Sequence, residues 1–330
     1  MVTLKDIAKL AHVNESTVSR ALNNSIYVHP DTKKKVLEAA KKLSYDPKLL
    51  RKVIKQGKTK TIGIIIPNLR YNIFMDFVQK AEINVDALNY KIIIAISEDD
   101  PKREMELLNR MRNSLVDGIV ITSTGKNNHL LENIQAGGLP IMQIFRNVDE
   151  NTDSVSINYH QSVEIAVDNL LNNGAKEIAL INGSLTDESY QEKLAAFKKI
   201  MKAHQKNIVA KSLNEYPRSF NETGYDLAAQ AFQECPQLDG LLVANDTESL
   251  GVLHYLEDND LSVPEEIKVI SLAGCSLSSL YQTQISNTAF PIENISMRAL
   301  SVLISRIEDI EDVPIQHQVL NTTFVSRKTC

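Results

Sequence analysis

Cysteine is scarce in this chain. Cys235, Cys275 and Cys330 are its only three, far apart and with no Cys-x-x-Cys. That excludes a disulfide framework and suits a reducing cytoplasm, where the protein is expected to work. No run of 18 apolar residues occurs, so no membrane-spanning helix is indicated and no membrane partner is expected. The first residues carry Lys5, Asp6 and Lys9 where a secretory signal would have an apolar segment. Catalytic signatures are missing too: no GxGxxG, HExxH or GxSxG stands in the context it needs. Gly57-Lys58-Thr59 resembles the end of a phosphate-binding loop, but Lys52 occupies the position that loop reserves for glycine, and a strand follows instead of preceding. No enzyme, catalytic residue, cofactor or metal site is therefore expected. His160 and His254 lack partners at ligand spacing and read as structural.

What is there begins with the first 25 residues. Leu4, Ile7, Ala8 and Ala11 recur at helical spacing; after a break at His12-Val13-Asn14, a second short helix from Glu15 to Leu22 has Val18, Ala21 and Leu22 as its inner face. Two short helices joined by a tight turn make a helix-turn-helix, whose second helix can lie in the DNA major groove. His12 sits where a left-handed residue is needed, and Asn14 is a good N-cap. Glu15, Ser16 and Arg20 would face the groove, with Thr17 and Ser19 placed for phosphate or base contact. Arg20 suits a guanine or a phosphate. Glu15 has two readings: an acceptor for a cytosine amino group, or a charge favoured by the helix dipole. A third helix starts near Pro30 and ends before Tyr45-Asp46-Pro47.

Charge divides the chain in the same way. Residues 1–60 carry 14 Lys or Arg against 5 Asp or Glu, a balance of +9, which leaves −14 for the rest of a chain whose formal net charge is −5. A basic head on an acidic body points to a polyanion bound by the head alone. From Thr61 onward, almost wholly apolar runs alternate with amphipathic helical stretches. Strands are expected at Thr61–Pro67, Tyr90–Ser97, Gly118–Ser123, Pro140–Phe145, Ser154–Asn158, Glu177–Asn182, Ile208–Leu213, Gly240–Asn245, Lys268–Ala273, Thr288–Pro291 and Gln316–Ser326. The helices between them include Phe74–Leu88, Lys102–Leu115, Gln161–Asn173, Tyr190–His204, Gly224–Gln233 and Glu248–Asp258. This is repeated βαβ construction, in two doubly wound parallel-sheet lobes because one sheet would be too long.

The order of motifs resembles the lactose repressor (LacI/GalR) family. The head motif runs Thr3-Leu-Lys-Asp-Ile-Ala-Lys-Leu-Ala11, then Ser16-Thr-Val-Ser-Arg-Ala-Leu-Asn23 and Leu43-Ser-Tyr-Asp-Pro47. Body matches follow at Lys60–Pro67, Val116–Val120, Leu242–Asp246 with Leu250-Gly251, and Val263-Pro264. The resemblance implies an α/β protein with an all-α helix-turn-helix head at 1–46, a hinge helix and linker at 47–60, and a periplasmic-binding-protein-like body at 61–330. One lobe would hold about 61–159 and 290–320, the other about 160–289 and 321–330. It implies a homodimer on double-stranded, pseudo-palindromic operator DNA, repressing a metabolic operon. Thr3 and Asn23 join the DNA-contacting set, as do Lys48, Arg51, Ile54 and Lys55 of the hinge. Ile54 stands where the family wedges a leucine into the minor groove. Arg51 replaces a small residue, and either packs between the paired hinge helices or turns to phosphate. No leucine heptad follows the last strand, so a dimer without a helical tetramerisation tail is expected.

A small-molecule effector between the lobes, a sugar or a derivative, is the family's mode of control. Here the sequence departs most. Lys193 stands where sugar binders commonly carry Arg, four residues before Phe197, and Ser271-Leu272-Ala273 replaces Gly-aromatic-Asp, so Ala273 occupies the acid's place. Arg146, Asn245 and Asp246 at strand ends, with Phe74 as a stacking wall, complete the candidate effector set. For Asn245 and Asp246 helix capping is the equal alternative. Cys275 could bring a thiol near the cleft or be inert. Alternatives to small-molecule control are a protein partner or ligand independence, both motivated by Lys193 and Ala273. A solute-binding protein is opposed by the basic head.

Overall fold

The computed structural model describes residues 4–22, 28–42, 58–113, 116–214, 219–274, 276–279, 284–308 and 314–330, and the account below concerns these. Three helices form the head: α1 (Leu4–Ala11), α2 (Glu15–Leu22) and α3 (Pro30–Lys42). They enclose a small core of Ile7, Ala8, Ala11, Val18, Ala21, Val36, Ala39 and Ala40. The turn between α1 and α2 places His12 at φ +53°, the left-handed conformation that the tight reversal demands. The carbonyl of Asn14 then accepts from the amides of Thr17 and Val18, starting α2. Leu43–Gly57, with Lys48, Arg51, Ile54 and Lys55, lies outside the described residues, as do Thr3 and Asn23.

The chain enters the body at Lys58–Lys60 through two carboxylates. Asp117 accepts from the amides of Thr59 and Lys60 and from the Thr59 hydroxyl, all at 2.7 Å. Glu308 accepts from Lys58 Nζ, Lys60 Nζ and the Tyr90 hydroxyl, each at 2.6 Å. These bonds hold the Glu308 carboxyl down to about 2, far below its usual range.

Twelve strands then make two six-stranded sheets. The first uses β1 (Thr61–Ile66), β2 (Lys91–Ile96), β3 (Gly118–Ile121), β4 (Ile141–Phe145), β5 (Asp153–Ile157) and β11 (His317–Leu320), in the order β11-β5-β4-β3-β1-β2. The second uses β6 (Ile178–Ser184), β7 (Val209–Leu213), β8 (Gly240–Val243), β9 (Lys268–Gly274), β10 (Ser286–Ala289) and β12 (Thr323–Val325), in the order β12-β10-β9-β8-β6-β7. All pairings are parallel except β10 with β12. The helices are α4 (Asn72–Asp86), α5 (Pro101–Arg112), α6 (Asn128–Ala136), α7 (Tyr159–Asn172), α8 (Glu188–Ala203), α9 (Phe220–Glu234), α10 (Asp246–Asp258) and α11 (Ile292–Glu308). Helices on both faces explain why β3 and β8 are apolar throughout and fully buried.

The chain crosses between lobes three times, after β5, after β10 and after β11. The last crossing corrects the expected single strand Gln316–Ser326. It splits at Asn321-Thr322, because Gln161 of α7 captures Thr322: its side-chain oxygen accepts from the Thr322 amide and hydroxyl, and its amide donates to the Thr322 carbonyl. The break sends β12 into the second sheet, antiparallel at its edge. The helix expected from Gly224 starts at Phe220 instead, since Ser219 caps it. α11 packs against α4, β3, β4 and β5 of the first lobe.

Candidate functional site

On the head, Glu15, Ser16 and Arg20 are exposed along one side of α2, with Thr17 half-buried beside them, and Ser19 shares the helix. The inner face is spent on the three-helix core, so the polar face is left for a partner. In the family pattern this is the reading helix of a helix-turn-helix.

In the body, a cavity lies between the lobes at the C-terminal ends of the strands, where open parallel sheets place ligands. It gathers Phe74, Arg146, Lys193, Asn245, Asp246 and Ala273, all six residues named for the effector from the sequence. Tyr71, Phe145, Tyr159, Asp187, Tyr190 and Phe290 also line it and were not foreseen. Asp187 had a visible signal: it precedes a helix start, and its side chain caps α8 through the Ser189 amide. The aromatic residues had none, because apolar residues at strand and helix ends look like any core residue.

Arg146 is committed to the protein. Its two terminal nitrogens pair with both oxygens of Asp99, at 2.7 and 3.1 Å; one also donates to the Ser123 carbonyl at 3.1 Å, and the other reaches Asp187 of the second lobe. Burial works against the guanidinium charge, but Asp187 and Asp99 outweigh it and raise its pKa. The arginine is therefore a clamp between lobes. Phe145, just before it, holds φ +66°, an unusual value for a bulky residue. The Tyr159 hydroxyl donates to its carbonyl at 3.2 Å, and its ring meets Phe74 and Phe77 edge-on at 5.7 Å.

Asn245 is a helix cap that also lines the cavity. Its side-chain oxygen caps α10 by accepting from the Glu248 amide at 2.9 Å, while its amide donates to the Tyr190 hydroxyl in the cavity at 3.2 Å. Tyr190 packs against β6 because Gly183 has no Cβ; one there would come within 2.4 Å of the tyrosine ring. Lys193 is 4% exposed, donates from Nζ to the Ala244 carbonyl at 3.0 Å, and faces the rings of Tyr190 and Tyr159 at 4.8 and 5.1 Å. Burial lowers its pKa to about 8, with Asp187, Glu248 and Glu192 resisting. Glu248 is fully buried beneath the cavity, pushed up to about 7 by burial against the opposing effects of Asn245 and Lys193. Ala273 brings no polar group. Cys275 lies outside the described residues. Among the described residues no cluster of His, Cys, Asp and Glu could hold a metal ion, and no helix is long and apolar enough to cross a membrane.

Residues 3–48 match the profile of "Bacterial regulatory proteins, lacI family", and residues 167–330 that of a "Periplasmic binding protein-like domain". The sucrose operon repressor of Pediococcus pentosaceus is 30% identical over 307 residues, covering 93% of this chain and 92% of that one. The chain belongs to the LacI family of bacterial transcription regulators. Catabolite control protein A of Priestia megaterium is 27% identical over 305 residues, covering 92% and 91%. The fold agrees with the lac repressor dimer bound to operator and the anti-inducer ONPF, at TM-score 0.74, 21% identity and 99% and 98% coverage. It agrees also with a CelR–cellobiose complex, at TM-score 0.72, 20% identity and full coverage of both chains. This LacI-family protein is a DNA-binding transcription regulator.

Proposed function

We propose that the protein is a dimeric repressor of a metabolic operon, acting in the cytoplasm on a pseudo-palindromic operator and answering to a small molecule held between its lobes. The observation that carries the DNA half is α2, whose exposed polar face belongs to the family's reading motif. Glu15, Ser16, Thr17, Ser19 and Arg20 would read bases and phosphates; Thr3, Asn23, Lys48, Arg51, Ile54 and Lys55 would complete the contacts. Dimerisation is supported by apolar exposure on the first lobe, where Ile83 of α4, Leu88, and Ile93 and Ile94 of the neighbouring edge strand β2 are 42–56% exposed. Residues 1–46, 47–60 and 61–330 would then serve as head, hinge with linker, and body.

Selection from random duplexes at moderate salt tests this. A two-fold symmetric consensus, bound with affinity that falls steeply as salt rises, is the expected result. No enriched sequence overturns the reading.

One observation favours the second reading, control by a protein partner or none. Free space in the cavity is about 60 Å³, whereas pockets for drug-sized ligands run to about 300–1,000 Å³.

A further inference from the structure

The cavity's polar groups are unevenly used. Two carboxylates line it: Asp187 is bound to the arginine, which also takes Asp99, and Asp246, buried at the start of α10, is engaged with the protein as well. The Asn245 oxygen is held by a helix amide. A sugar needs several acceptors for its hydroxyls, and Ala273 supplies none. The walls are apolar: Phe74, Phe145, Tyr159 and Phe290 surround the space. At its floor stands Lys193, with three donors and one hydrogen-bonded acceptor, the Ala244 carbonyl. Among the described residues no carboxylate oxygen lies within ion-pair distance of its Nζ. Glu248 acts on it through space without a hydrogen bond, and neither Glu248 oxygen has a hydrogen-bond partner. Two tyrosine faces give the ammonium cation–π contact, which compensates burial only in part.

We propose that the interlobe cavity takes a small planar monoanion, a carboxylate on an aromatic or otherwise apolar body, with Lys193 as its anchoring cation. This rests on the effector reading above. The ligand's ring lies among the aromatic walls and its carboxylate meets the ammonium; free space of about 60 Å³ favours a ligand smaller than a disaccharide. Lysine suits this role as a compact point charge, whereas the planar fork of an arginine suits vicinal hydroxyls.

The test uses the full chain, calorimetry, and matched pairs: benzoate with benzamide, phenylacetate with phenylacetamide, alongside sucrose and glucose 6-phosphate. The acids should bind at least tenfold more tightly than their amides. Lys193→Met should remove that preference while the melting transition stays cooperative, and Lys193→Arg should restore most of it. Acids and amides binding alike overturn the proposal. Sucrose or glucose 6-phosphate binding more tightly than the acids overturns it too, and leaves the effector reading standing. No binding by any probe, with operator binding intact, overturns the proposal.

Discussion

The Tyr190 hydroxyl donates to the Tyr71 hydroxyl at 2.6 Å, joining the second lobe to the first across the cavity. It also accepts from Asn245, so a single tyrosine links α10, α8 and the entrance to α4. Tyr71 in turn packs on Phe220 at 4.0 Å between ring centres, the rings tilted by 33°. Closure of this cleft is made from the protein's own side chains.

A double-mutant cycle should expose that link. Tyr71→Phe and Tyr190→Phe should each cost about 1 kcal/mol in urea unfolding, and the double variant should cost less than their sum. Strict additivity would mean that the two hydroxyls do not stabilise each other.

Asp187 has two jobs that substitution can separate. Its Oδ1 caps α8 by accepting from the Ser189 amide and hydroxyl at 2.8 Å, and its Oδ2 pairs with Arg146. Asp187→Asn keeps a capping oxygen but loses the charge; Asp187→Ala loses both. Breaking a buried pair costs about 3–5 kcal/mol and a cap about 1 kcal/mol. Asn should therefore be milder than Ala, with Arg146 still held by Asp99. Equal unfolding midpoints for the two variants would contradict this.

Glu248 should give the body a pH dependence near neutrality. Its folded pKa is raised to about 7, so between 4.5 and 7 the native state binds a proton that the unfolded chain has lost. Stability from this group is present at low pH and falls as pH rises through that window. Lys193 acts in the window above: lowered to about 8, it lets stability recover from there towards its unfolded value of about 10.4. The groups that act electrostatically on this pair are Asp187 and Glu192. Glu248→Gln should flatten the decline measured by thermal melts at pH 5, 6 and 7, and an unchanged slope would remove Glu248 as its source.

Glu308 behaves in the opposite sense. With its pKa depressed to about 2, its contribution is present above about 4.5 and lost as pH falls towards 2. Glu308→Gln should reduce acid sensitivity in that range. It should also speed trypsin cleavage after Lys58 and Lys60, whose ammonium groups it holds. Cleavage at the wild-type rate would show that Asp117 suffices.

Arg20→Ala distinguishes two DNA roles. A guanine contact predicts a loss of about 1–3 kcal/mol on the selected operator and relaxed preference at one base pair. A phosphate contact predicts a uniform loss and a salt slope shallower by about 1.

The sheets were legible because strands buried on both faces leave unbroken apolar runs, as in β1, β3 and β8. The candidate cavity residues could be named because strand ends in such folds converge on a cleft, and Arg146, Asn245 and Asp246 stand at strand ends. Three things were not legible. The break at Thr322 depends on Gln161, distant in sequence. The commitment of Arg146 depends on two carboxylates from different lobes. The aromatic lining depends on which face of each element turns towards the gap, and Phe145 sits there in a backbone conformation that no pattern announces.

Three chain crossings join the lobes, and the head connects only to the first of them, at a point locked by Asp117 and Glu308. Three side-by-side tethers leave the second lobe one easy movement, a swing towards or away from its partner, as a door moves on hinges and not as a ball in a socket. Within one chain, such a swing is expected to reach the head through the first lobe, since the chain enters the body there at Lys58, Thr59 and Lys60.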